Sequence, residues 1–396
     1  MVAPLPPSPC IARFVRHPMP SLSSEERQQL HDSLIELLGD KYPFEHWKKL
    51  TRGKGTEGFG RAEWQQYADM GWLGIAIPEG QGGSAGGMTE LGIVMAAAGR
   101  FIVLEPLLAT VVLGASAIEK AGNARQQDML SQIVAGKLLL AFCHHEPGGG
   151  YARDWVQTIA RKQGSSYMLD GEKAFAIHAN VADRLIVSAR IGSATGPVAL
   201  FLVGRTANGV ALNQAPAFDG RPGATVKLSG VEVAAGDKLG DGEADQSAII
   251  DKVIDRGVAA ACAEAVGAMA SVTQQTVEYL KTRQQFGQPL SKFQVLQHRL
   301  VDMSVSTEEA RAIVHAALQA LDDGDPKASR AVWMAKVKTA QAARFVGGQG
   351  IQLHGGMGMT DELSIGHYYK RLTMCETLFG DGDWYLRRIG ADMATG

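Results

Sequence analysis

Helical and strand periodicities are segregated along this 396-residue chain, and that segregation predicts an α+β protein. Apolar residues recur at helical spacing in residues 20–138 and again in 244–396. Between them, residues 139–243 break into short β-branched runs separated by Gly, Asp and Asn. Strand and helix nowhere alternate, which argues against a doubly wound sheet or a βαβ dinucleotide site. The predicted order is an N-terminal arm (1–19), an all-helical domain (20–138), a small antiparallel barrel or sandwich (139–243) and a C-terminal helical bundle (244–396).

Each element has a local reason. Ser23 and Glu26 have capping-box spacing ahead of a stripe of Leu30, Leu34, Leu37 and Leu38, which Gly39 is expected to end. A second helix is expected over about 61–70, and a long one from Met88 after the breaker run from Pro78 to Gly87. Helices over about 111–121 and 126–135 follow. LLLAFC, VQTIARK, SYMLDGEKAF, DRLIVSARI, PVALFLVG, GVALN and ATVKLSGVEV read as strands. Long helices are expected over about 247–282, 293–322 and 327–346, then a final pair.

Composition narrows the function classes. Hydrophobic residues make up 45% and charged residues 20%, and 39 basic against 41 acidic side chains leave a net charge of −2. No basic footprint for nucleic acid or an anionic membrane is present. Four scattered cysteines offer neither zinc spacing nor a disulfide framework, so no metal is expected and a reducing cytoplasm fits. The start, MVAPLPPSPCIARF, lacks the continuous apolar core of a signal peptide, and no apolar run is long enough to span a bilayer.

The stretch from Gly347 to Asp361, GGQGIQLHGGMGMTD, carries six glycines within a helical, apolar context. Bare peptide N–H groups suit a phosphate, and a Gly-rich turn between two packed helices suits the same composition. Both readings stay open on this window alone.

Four segments together resemble the acyl-CoA dehydrogenase family of flavoproteins: GWLGIAIPEGQGG, then HHEPGGGYARD with DGEKAFAIHAN, TRQQFGQPLSKFQVLQHRLVDM (Thr282 to Met303), and QLHGGMGMTDELSIGHYYKRL (Gln352 to Leu372). The resemblance spans nearly the whole chain in order. It implies a helical domain, a central β-domain and a C-terminal four-helix bundle, with non-covalent FAD shared with a neighbouring subunit. The implied reaction is α,β-dehydrogenation of an acyl-CoA thioester, with electrons passed to an acceptor protein. The implied assembly is a homodimer, a homotetramer, or a heterotetramer with a related subunit.

The resemblance assigns FAD contacts to Arg283, Gln285 and Phe286 in the R-x-x-F-G element, to Gln294, and to Gln352, Gly355, Gly356 and Gly358. It places His145, Glu146, Phe175 and Ile177 by the flavin ring, and Asp381 and Asp383 near the cofactor. Departures are equally specific. His145-Glu146-Pro147 and Phe175-Ala176-Ile177 stand where most relatives carry Thr-containing elements, whose hydroxyls lie by the flavin ring. Phe379 and Gly257 fall on the two positions that supply the catalytic Glu in relatives, and Val258 on that of a substrate-side Arg. Proton abstraction needs a group of suitable pKa within reach of the substrate Cα. The nearby carboxylates are Asp255, Asp381, Asp383 and Glu376, with Asp381 and Asp255 as the candidate relocated bases, although the resemblance aligns Asp255 with an Asp that contacts the pantetheine arm and Asp381 with a Thr that touches FAD, so that each reads more readily as a binding or structural group.

FGDGDWYLRR and HHEPGGGYARD further resemble the small-subunit type of two-component acyl-CoA dehydrogenases. Three readings follow: a homo-oligomeric enzyme with a relocated base, a base-less subunit that helps build a FAD site, and a helical scaffold without FAD.

Overall fold

The computed structural model describes residues 22–53 and 57–395, so the expected N-terminal arm, 1–19, lies outside the described residues. The N-terminal domain comprises α1 (Ser24–Lys41), α2 (Phe44–Arg52), α3 (Arg61–Asp69), α4 (Met88–Arg100), α5 (Ala115–Ala121), α6 (Ala124–Gln127) and α7 (Met129–Val134). Its first helix begins with the expected capping box. Ser23 Oγ accepts from the Glu26 amide, and Glu26 returns a carboxylate to the Ser23 amide, satisfying donors the helix cannot pair internally. The stripe buries Leu34 and Leu38. The helix runs past Gly39 to Lys41, and α2 was not foreseen.

Leu107–Gly114, directly before α5, forms a π-helix buried on all sides. Its run LLATVVLG is apolar at every turn but one, so no amphipathic period reports its geometry. Thr110 Oγ1 fixes it to the first strand, exchanging hydrogen bonds of 3.0 Å with the Leu140 amide and carbonyl.

The central domain is one seven-stranded sheet of β1 (Leu140–Cys143), β2 (Ile159–Gln163), β3 (Ser166–Ile177), β4 (Arg184–Ile191), β5 (Val198–Gly204), β6 (Val210–Pro216) and β7 (Pro222–Ala234). The expectation of an antiparallel sheet needs correction. β1 and β2 both pair parallel with one edge of β4, while β5 pairs antiparallel with β4 and β3–β7–β6 continue antiparallel. The connections after β1 and β2 are long enough for parallel returns, which run-by-run alternation does not reveal. The sheet curves as a half-barrel, with a bulge in β3 between Lys173 and Ala176.

The C-terminal bundle contains α8 (Ser247–Thr282), α9 (Gln294–Asp322), α10 (Ala328–His354), α11 (Ile365–Thr377) and α12 (Gly382–Thr395). A hairpin of β8 (Gln284–Gln285) and β9 (Gln288–Pro289) joins α8 to α9. The expected end of α10 near residue 346 is overturned, because the helix continues through three glycines to His354. Gly350 shows why: a Cβ there would stand 2.6 Å from Val272 Cγ1 of α8. The glycine admits a neighbouring helix and does not interrupt its own.

A buried ion network ties the three parts together. Arg371 of α11 meets Asp219 of the β6–β7 turn at 2.8 Å and Glu264 of α8 at 2.6 Å, and donates to the Val103 carbonyl of the N-terminal domain at 3.0 Å. Arg221 joins the same two carboxylates. Pairing of each buried charge with opposite ones is what makes such burial tolerable, and removing one member would strand the others.

Candidate active site

A cleft of about 390 Å³ opens where the sheet, the π-helix and the end of α11 meet. Its sheet wall is the segment after β1, with His144, His145, Gly150 and Tyr151, together with Phe175, Ala176 and Ile177 of β3. Phe175 and Ile177 are two apart on one strand and therefore share a face. The Ala174 amide donates to the His145 carbonyl at 2.8 Å and joins these two segments. The opposite wall is Leu108, Ala109 and Leu113 of the π-helix, with Met374, Thr377, Leu378 and Phe379.

Beneath the sheet wall lies a closed polar network. Lys173 Nζ, fully buried, donates to Glu146 Oε1 at 2.5 Å and to Ser188 Oγ at 3.0 Å. Glu146 also accepts from the Thr158 hydroxyl and from the amides of Gln157 and Thr158. Its carboxylate stays below the usual carboxylate range because Lys173 and these donors outweigh burial. Glu146 lines the cleft, yet its charge is committed inward, which removes its carboxylate from direct work on a ligand. His145 is free by comparison. Its Nε2 is shielded from solvent and has no partner among the described residues, and burial, then the charges of Arg153 and Lys173, lower its pKa to about 4.

Gly257 and Phe379, the two positions that the resemblance aligns with a base, converge. A Cβ on Gly257 would meet Leu113 Cδ2 at 2.6 Å and Phe379 Cε2 at 3.3 Å. Phe379 is held in the left-handed region, φ 61°. Lys336 of α10 donates to the carbonyls of Cys375 and Leu378, and the Tyr385 hydroxyl to that of Phe379. The segment is thus locked with an aromatic ring in the cleft.

The candidate bases are employed elsewhere. Asp255 is buried and pairs with Arg153 at 2.8 Å, and the same guanidinium reaches Tyr385. Asp381 caps α12, accepting from the Trp384 amide at 2.7 Å, and neither Asp lines the cleft. Asp383 is exposed in the first turn of α12, and Glu376 pairs with Arg344.

A second cleft of about 670 Å³ brings together Arg283 and Gln285 with Gln352, Gly355 and Gly356. These residues lie on either side of α9 in sequence, and the hairpin and the end of α10 place them together. Arg299 also lines this cleft, and among the described residues no carboxylate does. Arg299 sits in the quoted TRQQFG segment, but only the fold shows that its position on α9 faces the glycines. A Cβ on Gly356 would meet nothing within 4 Å, and the same holds for Gly355, whose φ of 60° suits glycine. Gly358 differs, since a Cβ there would be 2.7 Å from the Ile351 carbonyl. It serves the turn and not open space. Phe286, at φ 57° on the hairpin, is 88% exposed, and Gln294 opens α9 on the exposed surface.

Among the described residues no helix is long and apolar enough to cross a membrane. Residues 24–137 match the model of the acyl-CoA dehydrogenase N-terminal domain, and residues 248–394 that of the C-terminal domain. A probable acyl-CoA dehydrogenase, YngJ, of Bacillus subtilis is 29% identical over 373 residues, covering 92% of this chain and 96% of the relative. The ChsE4-ChsE5 complex of Mycobacterium tuberculosis contains a chain with TM-score 0.85 and 26% identity, covering 95% of this chain and 99% of that one. A variant of the Tcur3481-Tcur3483 steroid ACAD gives TM-score 0.85 and 27% identity, with 94% and 98% covered. With both terminal domains matched on either side of the half-barrel, this chain belongs to the acyl-CoA dehydrogenase family.

Proposed function

We propose that this chain is a FAD-binding subunit of an acyl-CoA dehydrogenase and that the base for the α proton is not supplied by this chain. The observation that carries this reading is that Gly257 lies against Leu113 and Phe379, two apolar residues of the cleft wall, Gly257 and Phe379 being the positions the resemblance aligns with a base. Neither side chain can accept a proton. Asp255 and Asp381, the alternatives, have their carboxylates engaged by Arg153 and by the Trp384 amide.

The residues present fit FAD. Arg283 and Arg299, in a cleft without acids and beside two glycines open at Cβ, suit a pyrophosphate. The exposed Phe286 ring offers a stacking face for an adenine. The central cleft supplies Phe175, Ile177 and His145 to a flat ring. When bound, FAD would supply a two-electron acceptor there.

The two clefts share no lining residue, which favours completion of each cofactor site between two chains. ChsE4-ChsE5 and Tcur3481-Tcur3483 are each named for two components, which supports a related subunit as the partner. The small-subunit type of two-component enzyme is accordingly our reading of this chain. Acyl-CoA is the substrate class, and an electron-transfer protein the acceptor.

The test is to purify the chain alone, record its visible flavin absorption after FAD is supplied, and add acyl-CoA thioesters of varied shape. Bound flavin that thioesters do not bleach is expected. Robust bleaching by the lone chain overturns the base-less reading, and failure to take up FAD alone or with a partner overturns the cofactor assignment.

A further inference from the structure

Two adjacent histidines line the central cleft, and the fold employs only one of them. His144 is locked. Lys173 donates to Ser188 Oγ, Ser188 lies 2.9 Å from His144 Nδ1, and His144 Nε2 lies 3.0 Å from the Arg153 carbonyl. Because the carbonyl can only accept, Nε2 carries the proton and Nδ1 accepts from the serine. Burial first, then neighbouring positive charge, holds this ring neutral.

His145 has no such fixation. Its ring lies 5.4 Å from that of His144 and 6.2 Å from that of Phe379, and its shielded Nε2 has no partner. The cations around it each have an acid of their own, Arg153 with Asp255 at 2.8 Å and Asp251 at 3.1 Å, and Lys173 with Glu146. Arg153, Lys173 and the neutral His144 belong to the sheet side. The one sheet-side acid, Glu146, is bound to Lys173. The π-helix presents Leu108, Ala109 and Leu113, and the end of α11 presents Phe379. Tyr151 completes the cleft, its hydroxyl pushed towards the protonated form by burial and then by Asp381 and Glu376. This buried nitrogen, without a partner among the described residues and with Glu146 committed to Lys173, is kept neutral first by burial, until negative charge enters the cleft.

We propose that His145 takes up a proton at Nε2 when the flavin in the central cleft is reduced. This rests on the FAD assignment above. Two electrons and one proton leave the thioester, or two electrons come from dithionite and one proton from water, and the flavin gains one net negative charge. The second proton comes from solvent and forms only the Nε2–H bond, so the added charge is matched. A unit charge a few ångströms away in a half-buried site shifts a proton equilibrium by about 10³-fold. A charge of that sign raises the lowered pKa of His145 and so favours the imidazolium. His145 would thereby stabilise the reduced state through its charge.

The full chain, loaded with FAD and with any subunit that co-purifies, should be labelled with ¹³C-histidine. The His145 signal is assigned by its loss in His145→Gln or, if that variant loses flavin, in His145→Asn. In the oxidised protein at neutral pH the signal should be that of a neutral imidazole, and after dithionite reduction that of an imidazolium. An unchanged neutral signal in the reduced, flavin-loaded protein overturns the proposal alone. A protein that accepts no FAD overturns both this proposal and the reading on which it rests. A merely structural His145 would not change its protonation with the redox state.

Discussion

Gly257 and Phe379, 122 residues apart in sequence by their numbers, are neighbours in space, and a Cβ on the first would stand 3.3 Å from Cε2 of the second. The two positions that the resemblance aligns with a base in relatives therefore form a single spot. Converting it should restore a carboxylate without rebuilding the pocket. Phe379→Glu in the lone chain is expected to raise flavin bleaching by acyl-CoA at least about tenfold, because a positioned general base contributes roughly 10² to 10⁴ in rate. Gly257→Glu should do less, since its Cβ would press on Leu113 at 2.6 Å. Stopped-flow flavin absorbance compares the two variants.

The glycines of the second cleft separate folding from binding. A Cβ on Gly356 would meet nothing within 4 Å, so for Gly356→Val the apo melting temperature should hold while FAD content falls sharply. Gly358→Val meets the Ile351 carbonyl at 2.7 Å and should cost about 1–3 kcal/mol of stability even without FAD. Melting curves of the apo proteins, beside flavin titrations, distinguish the two. Full flavin affinity in Gly356→Val would remove that glycine from the cofactor site.

How far the sequence carries is visible in these residues. The capping box and the β-branched runs speak through neighbours in the chain, so α1 and the strands were legible. Gly350 was legible as a glycine but not as a packing glycine, because its partner Val272 lies on another helix. The π-helix Leu107–Gly114 hid in an apolar run with no period. Asp255 looked available in sequence, and the structure engages it with Arg153, 102 residues away. Arg299 escaped notice because its facing depends on how α9 lies against α10. Chemistry was readable as an inventory, while the commitment of each group required the tertiary partners.

Glu105 sets a pH dependence of stability. It is buried, accepts from the Gly60 amide at 3.0 Å, and leaves Oε2 unpaired. Burial pushes its pKa up from 4.5 to about 7. The folded state therefore binds more protons than the unfolded state between these values, so the contribution of Glu105 is fully present below about pH 4.5 and is lost as pH rises through 7. Thermal melts should show this term declining across that window. Glu105→Gln, which stays neutral, should flatten the slope, and an unchanged slope would contradict the assignment.

Asp255 and Asp381 make the last comparison, because a base and a structural carboxylate fail differently on amidation. Asp255 is paired with a buried guanidinium that also holds Tyr385, whose hydroxyl in turn reaches the Phe379 carbonyl. Asp255→Asn leaves the buried Arg153 with Asp251, a partly exposed carboxylate, as its remaining ion-pair partner among the described residues. Breaking a buried pair costs roughly 3–5 kcal/mol, so a marked drop in melting temperature is expected. Asp381→Asn keeps an oxygen for the Trp384 amide, and Asn is nearly as good a cap as Asp. That variant should melt within about 1 kcal/mol of the parent. Neither change should alter flavin reduction by acyl-CoA in a reconstituted two-component enzyme by more than about tenfold at a temperature where both variants are folded, against the roughly 10²- to 10⁴-fold loss expected on removing a base. A loss of that size in one stable, flavin-loaded variant would identify that aspartate as the base and return catalysis to this chain.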